Sequence, residues 1–166
     1  MALFYLDTSA IIKRYRHEQS TDVIDELFLR QAQAANIRFF SSFLIVIEVT
    51  SAILRLAKGR HLFEDAAAQV LVNFRADITE RIHVWPLDET ITHAAVHVVE
   101  QHRLKSGDAI HLATALAISR TIPGETVVVV ASDTQLIAAA GASGLEALNP
   151  EHRSWRAQLS RLGLPS

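Results

Sequence analysis

Short apolar runs alternate with helix-length periodic segments along this chain of 166 residues, and the alternation predicts an α/β fold, a three-layer α/β/α sandwich around a mainly parallel sheet. Three observations carry that prediction. Thr126 to Ala131 contains four consecutive valines, the unbroken β-branched run of a strand covered on both faces. Leu3 to Asp7 is a second short apolar run, and it stops abruptly in Asp-Thr-Ser. The segments between such runs repeat their apolar residues at helical spacing, and two of them stop at Gly59 and before Pro123-Gly124.

In chain order, the strand ending at Asp7 leads to a helix over Ala10 to Arg16 and a second from Ser20 to about Ala35, with Ser20 or Thr21 as its cap. Ile37 to Ser41 is short and partly aromatic, so it is a strand with Phe39 and Phe40 in the core. Leu44 to Lys58 is a long helix closed by Gly59, and another runs from Leu62 to Thr79. Ile82 to Leu87 is a strand, Asp88 caps a helix reaching Arg103, and a further helix starts near Ser106 and stops before Pro123-Gly124. After the valine strand come a short helix over Asp133 to Ala140 and a last strand over Leu145 to Leu148. Residues 1–150 thus form one folding unit, and 151–166 a basic, poorly periodic tail.

Composition narrows the chemistry. A hydrophobic fraction of 49% supports one sizeable core. No cysteine is present, which excludes disulfides, thiol catalysis and thiolate metal sites and leaves oxygen and imidazole ligands. The N-terminus lacks the layout of a secretory signal and the apolar runs are too short to span a bilayer, so a soluble cytoplasmic protein with no membrane association is expected. A formal charge of −2 argues against coating nucleic acid by bulk charge.

Four acids stand where acids are costly. Asp7 and Asp133 each follow an apolar strand and precede a helix, the position where ligands bind in open α/β sheets; capping the next helix is the plain alternative. Glu48 shares a helix stripe with Leu44, Ala52 and Leu56, and Asp108 shares one with Leu104, Leu112 and Ala115. A carboxylate on an apolar stripe loses hydration unless a cation or hydrogen bonds replace it. Gathered in one cleft, four such groups would repel one another, and magnesium or manganese, which prefer oxygen ligands, would resolve the conflict. Spacing alone leaves their convergence open.

The same segments carry a family resemblance. FYLDTSAII resembles the first motif of PIN domains, SSFLIVIEVTSAILR the second, KSGDAIHLATALA the third, and VVVVASDTQLIAAAGASGLEAL the last. The match runs in family order over about residues 2 to 150 and is similar to the VapC-type toxin ribonucleases of type II toxin–antitoxin pairs. The resemblance implies a catalytic and metal-binding quartet at Asp7, Glu48, Asp108 and Asp133, with Ser9 accompanying the first acid. It also implies Mg2+ (or Mn2+) as cofactor, structured RNA (tRNA or rRNA) as substrate, endonucleolytic in-line hydrolysis, and a cognate antitoxin protein as partner.

Other residues carry weaker signals. His111 lies one turn after Asp108 and could orient an acid or touch a phosphate, although such a histidine is more often structural. Lys13, Arg14 and Arg16 could guide RNA toward the acids, or be solvated helix residues; Arg55, Lys58 and Arg60 share that ambiguity. His93 and His97 have no accompanying Glu in a zinc pattern and belong to a surface or interface. The helices over 44–58 and 62–79 are apolar around more of their circumference than one core contact needs, with Val70, Leu71, Val72 and Phe74 as the excess. That suits a homodimer face or an antitoxin groove. The rival readings are a PIN-type nuclease of RNA processing or DNA flaps, a phosphatase using Asp7 as nucleophile, and a non-catalytic binding module of the same fold. Asp-Thr-Ser lacks the second aspartate of the common aspartate-nucleophile phosphatases.

Overall fold

The computed structural model describes residues 2–16, 20–34 and 36–161. Its elements are β1 (Ala2–Leu6), α1 (Thr8–Tyr15), α2 (Thr21–Gln33), β2 (Ile37–Ser42), α3 (Leu44–Lys58), α4 (Glu64–Glu80) and β3 (Ile82–Trp85). There follow α5 (Glu89–His102), α6 (Ser106–Thr121), β4 (Thr126–Val130), α7 (Thr134–Ala142), β5 (Glu146–Leu148) and α8 (Trp155–Arg161). All sheet pairings are parallel, in the order β3-β2-β1-β4-β5, so the expected α/β/α sandwich is the observed one.

The β-strand period of two distributes β1 between the layers. Phe4 and Leu6 join the core with Ile11, Ile24, Ile45 and Phe74 from α1 to α4. Leu3 and Tyr5 point the other way, into the core with Ile91, Leu112 and Leu136 from α5 to α7. β1 is therefore central and buried along its whole length. From it the chain winds outward in both directions, through α1 and α2 to β2 on one side and, after crossing the sheet, from β4 through α7 to β5 on the other. The strand order reverses between β1 and β4, which opens a crevice beyond their carboxyl ends.

Some boundaries differ from the sequence reading for local reasons. β3 ends at Trp85 because Pro86 has no N–H for the ladder. Ser20 occupies the cap position of α2 in left-handed backbone, φ 72°, without a side-chain cap bond, while the Thr21 hydroxyl donates to the Lys13 carbonyl at 2.8 Å. The tail is not structureless: α8 buries Trp155 and Leu159, one turn apart, in the first core. Two large apolar residues in seven are too few to show a period in the sequence. The apolar excess also resolves unevenly. Leu71 and Phe74 are buried, Val72 is exposed, and the uncovered face is mainly on α3, where Ile47 and Leu54 are more than half exposed. Among the described residues no helix is long and apolar enough to cross a membrane.

Candidate active site

β1 and β4 end side by side, and the Asp7 N–H donates to the Val130 carbonyl at 3.0 Å, extending their ladder by one bond. Asp7 is thereby fixed at the mouth of the crevice, 4% exposed. Its Oδ2 accepts from the Ser9 N–H at 2.9 Å and the Ser9 hydroxyl at 2.5 Å, capping α1. Asp133 does the same after β4: its Oδ1 accepts from the N–H groups of Gln135 and Leu136 at 2.8 and 3.0 Å. Capping and site-building are thus not alternatives, since one oxygen of each carboxylate is used in each cap. The Ser9 hydroxyl also accepts from the Ser132 N–H at 2.9 Å and ties the two strand ends together.

Glu48, on the second turn of α3, is gripped from two sides. The Thr8 hydroxyl donates to its Oε2, and His111 Nε2 meets the same oxygen at 2.8 Å. His111 Nε2 also lies 3.5 Å from Asp7 Oδ1, so one imidazole bridges the first two acids. Its other nitrogen, Nδ1, is 2.8 Å from the Tyr5 hydroxyl, and that hydroxyl accepts from the Ser42 N–H at 3.1 Å. Burial pushes the His111 imidazole toward its neutral form, but the hydrogen bond to Glu48 and the charges of Asp7, Glu48 and Asp108 outweigh it and hold its pKa above the ordinary value. Burial likewise pushes Glu48 up, and the bonds from His111 and Thr8 reverse the shift and keep it below the usual carboxylate range.

Asp108, in the first turn of α6, accepts no hydrogen bond among the described residues. Burial and then the charges of Asp7 and Asp133 raise its carboxyl above the ordinary value, with His111 and Lys105 opposing. The structure therefore brings the four sequence-predicted acids into one electrostatic neighbourhood. No three Asp, Glu or His side chains among the described residues stand close enough to form a ready metal cage.

The expected substrate contacts are the ones the structure redistributes. His111 is 1% exposed with both nitrogens engaged, so it orients an acid and has no face for a phosphate. Ser9 is committed to Asp7 and Ser132. Lys13 is buried, with Nζ 2.6 Å from Glu151. Arg14 turns to the other side of α1, where Nε meets Asp77 at 2.8 Å, Nη1 meets Asp25 at 3.0 Å and the guanidinium lies over the Phe28 ring. Both basic groups are thus held in intramolecular ion pairs. His93 and His97 are exposed on α5, as expected.

Three further residues matter that sequence reasoning missed. Thr8 and Tyr5 hold Glu48, directly and through His111. A Cβ at Gly107 would lie 2.9 Å from Glu48 Oε1, so the absence of a side chain there lets α6 approach the glutamate. Thr8 and Gly107 were visible as neighbours of the acids, whereas Tyr5 read only as a strand residue.

A doubly wound parallel sheet with carboxylates at its switch point defines the class: an α/β domain that presents acids beyond its strand ends. The chain belongs to the PIN-domain family, whose PIN domain matches residues 4–142. It is 31% identical over 144 residues to Ribonuclease VapC45 and to Ribonuclease VapC49, both of Mycobacterium tuberculosis, covering 87% of this chain and 93% of each relative. Among solved structures it resembles PAE2754 from Pyrobaculum aerophilum, TM-score 0.61 at 17% identity over 98% of both chains. It also resembles a toxin-antitoxin complex from Klebsiella pneumoniae, TM-score 0.57 at 21% identity over 90% of this chain and 98% of that one.

Proposed function

We propose that this protein is a divalent-metal-dependent endoribonuclease toxin that cleaves structured RNA of the tRNA or rRNA class and is held in check by a cognate antitoxin. The observation that carries this reading is that Asp7 and Asp133 stand at the ends of the adjacent strands β1 and β4, with Asp108 raised by burial and then by their charges, and Glu48 linked to Asp7 through His111. The kinship with the mycobacterial VapC ribonucleases supports cleavage of RNA. Exposed Phe43, Ile47 and Leu54 line the free face at α3, a surface suited to an antitoxin or a second copy of the chain.

The donor set fits Mg2+ or Mn2+: four carboxylates, no sulfur, and an excess of negative charge that a cation relieves. Asp7, Glu48, Asp108 and Asp133 would hold it. When bound, the ion supplies charge stabilisation at the scissile phosphate and a more acidic attacking water. The chain's own residues supply the positioning. Ser9 and the α1 backbone fix Asp7, Thr8 and His111 fix Glu48, and the α7 backbone fixes Asp133.

The direct test is incubation of the purified protein with total cellular RNA. Discrete cleavage products with Mg2+ or Mn2+, lost in EDTA and restored by added metal, are expected. Undiminished cleavage in excess EDTA overturns the metal-dependent reading, and cutting confined to DNA flaps favours the DNA-processing alternative. The metal should also raise the melting temperature of the protein by mass action, independently of activity.

A further inference from the structure

An acidic cleft must still attract a polyanion, and Lys13 and Arg14 are already engaged by Glu151, Asp77 and Asp25. α5 ends at His102, and the turn from it to α6 carries Arg103 and Lys105. Arg103 and Lys105 are exposed, and neither enters an ion pair among the described residues. Lys105 is close enough to Asp108 for its charge to act on that carboxyl. His102 and Arg103 line a cleft of about 390 Å³ together with Gln135, Ala138, Ala139 and Ala142 of α7. Gln135 lies two residues after Asp133 and donates its N–H to that carboxylate, so one wall of this cleft is the first turn of the helix that Asp133 caps. At its far end His102 Nε2 meets the Ser143 hydroxyl at 3.1 Å.

The backbone adds an independent observation. Arg103 closes α5 in left-handed conformation, φ 58°, where glycine would fit without a steric cost. A guanidinium here stands at a position that taxes any side chain, and such outliers cluster at functional sites.

We propose that the α5–α6 turn is the RNA-gripping lip of the acidic cleft. Arg103 and Lys105 bind backbone phosphates of the strand flanking the one being cut, and Gln135 completes the contact from α7. This inference rests on the ribonuclease reading. It places the contacts on phosphate, so they set register along the strand and carry no base preference.

The molecule contains its own control. Arg60 is also exposed and left-handed, φ 58°, but it lies twelve residues beyond Glu48 along and past α3, roughly 15 Å or more away at 1.5 Å per helical residue. Arg103→Gly and Arg60→Gly therefore remove the same charge and relieve the same backbone strain at two distances from the acids. The test is made in an Asp7→Asn background, with binding of a fluorescent random-sequence 20-nucleotide RNA pool measured across a salt series. Arg103→Gly and Lys105→Ala should each weaken binding about fivefold and lower the log–log salt slope by about 0.7, the value for one single-strand phosphate contact. Arg60→Gly should leave both unchanged, and Arg103→Gly should melt no lower than its parent.

The lip is overturned if Arg103→Gly binds like its parent, if Arg60→Gly weakens binding as much, or if the parent itself does not bind the pool. Failure of the ribonuclease reading shows separately, as absence of cleavage of total RNA by the protein with all four acids intact. A selective Arg103 effect on binding alongside that absence would keep the RNA contact and remove the reaction.

Discussion

The two halves of the acidic cleft are built differently. On one side Asp7 and Glu48 are held by donors: Ser9, Thr8 and the His111 imidazole, itself braced by Tyr5. On the other side Asp133 is held by one oxygen only, through the backbone of α7, and Asp108 is destabilised as an anion by burial and by its neighbours' charges. One half is organised by the protein before anything binds. The other half keeps an unmet demand for positive charge, which is how a site trades stability for function.

Removing charge from the organised half should have the largest effect. Asp7→Asn keeps a capping oxygen for Ser9 but loses the carboxylate, so cleavage should fall more than about 100-fold, the scale of losing one preorganised electrostatic group. Melting should stay level or rise. Retained metal-dependent cleavage in a nuclease assay would remove Asp7 from the site.

Unbracing the same half should act on stability as well. His111→Ala opens a cavity and removes one of the Tyr5 hydroxyl's partners, for a loss of about 2–4 kcal/mol in chemical denaturation. Tyr5→Phe keeps the ring and removes the bond to His111, for about 1–3 kcal/mol. If both variants denature like the parent, the His111 bridge does not brace the cleft.

Gly107→Ala presses a methyl group toward Glu48 Oε1. Stability should change by less than about 1 kcal/mol, because alanine favours helix as much as the contact opposes it. Cleavage should nevertheless drop about tenfold as the glutamate shifts, a loss of about 1.4 kcal/mol in the barrier. Full activity of this variant would show that Glu48 tolerates displacement.

The smallest effect is expected in the frustrated half. A carboxyl raised in the folded state binds more protons there than in the unfolded chain, so it costs stability as pH climbs above the ordinary aspartate value of 3.8 and through the raised one. Asp108→Asn removes that cost. In metal-free protein it should raise the melting temperature by a degree or two at neutral pH, roughly the shift for a fraction of a kcal/mol in a domain of this size. The gain should vanish below that ordinary value, where the carboxyl is protonated in both states. Lower stability at pH 7 would contradict the repulsion.

Much of this was legible in the sequence because the signals were local. The valine run marked β4, and the abrupt ends at Asp7 and Asp133 marked the crevice. Glu48 and Asp108 stood out against their apolar stripes. What could not be read was pairing between distant elements. Lys13 and Arg14 had the right charge and proximity along the chain, but Glu151 and Asp77, 138 and 63 residues away, claim them. Tyr5 is indistinguishable from a core aromatic until His111 is placed beside it. The α8 contact was hidden by its brevity.

The central place of β1 has a consequence for how the protein comes into being. β1 must wait for β4, more than 100 residues later, before Asp7 gains the Val130 carbonyl. Long-range parallel pairing of this kind is slow to close. Asp133 and the Ser132 bond to Ser9 also arrive only then. Until β4 has been made, the four candidate acids therefore lie apart along the chain, and the crevice between the two strand ends has not formed.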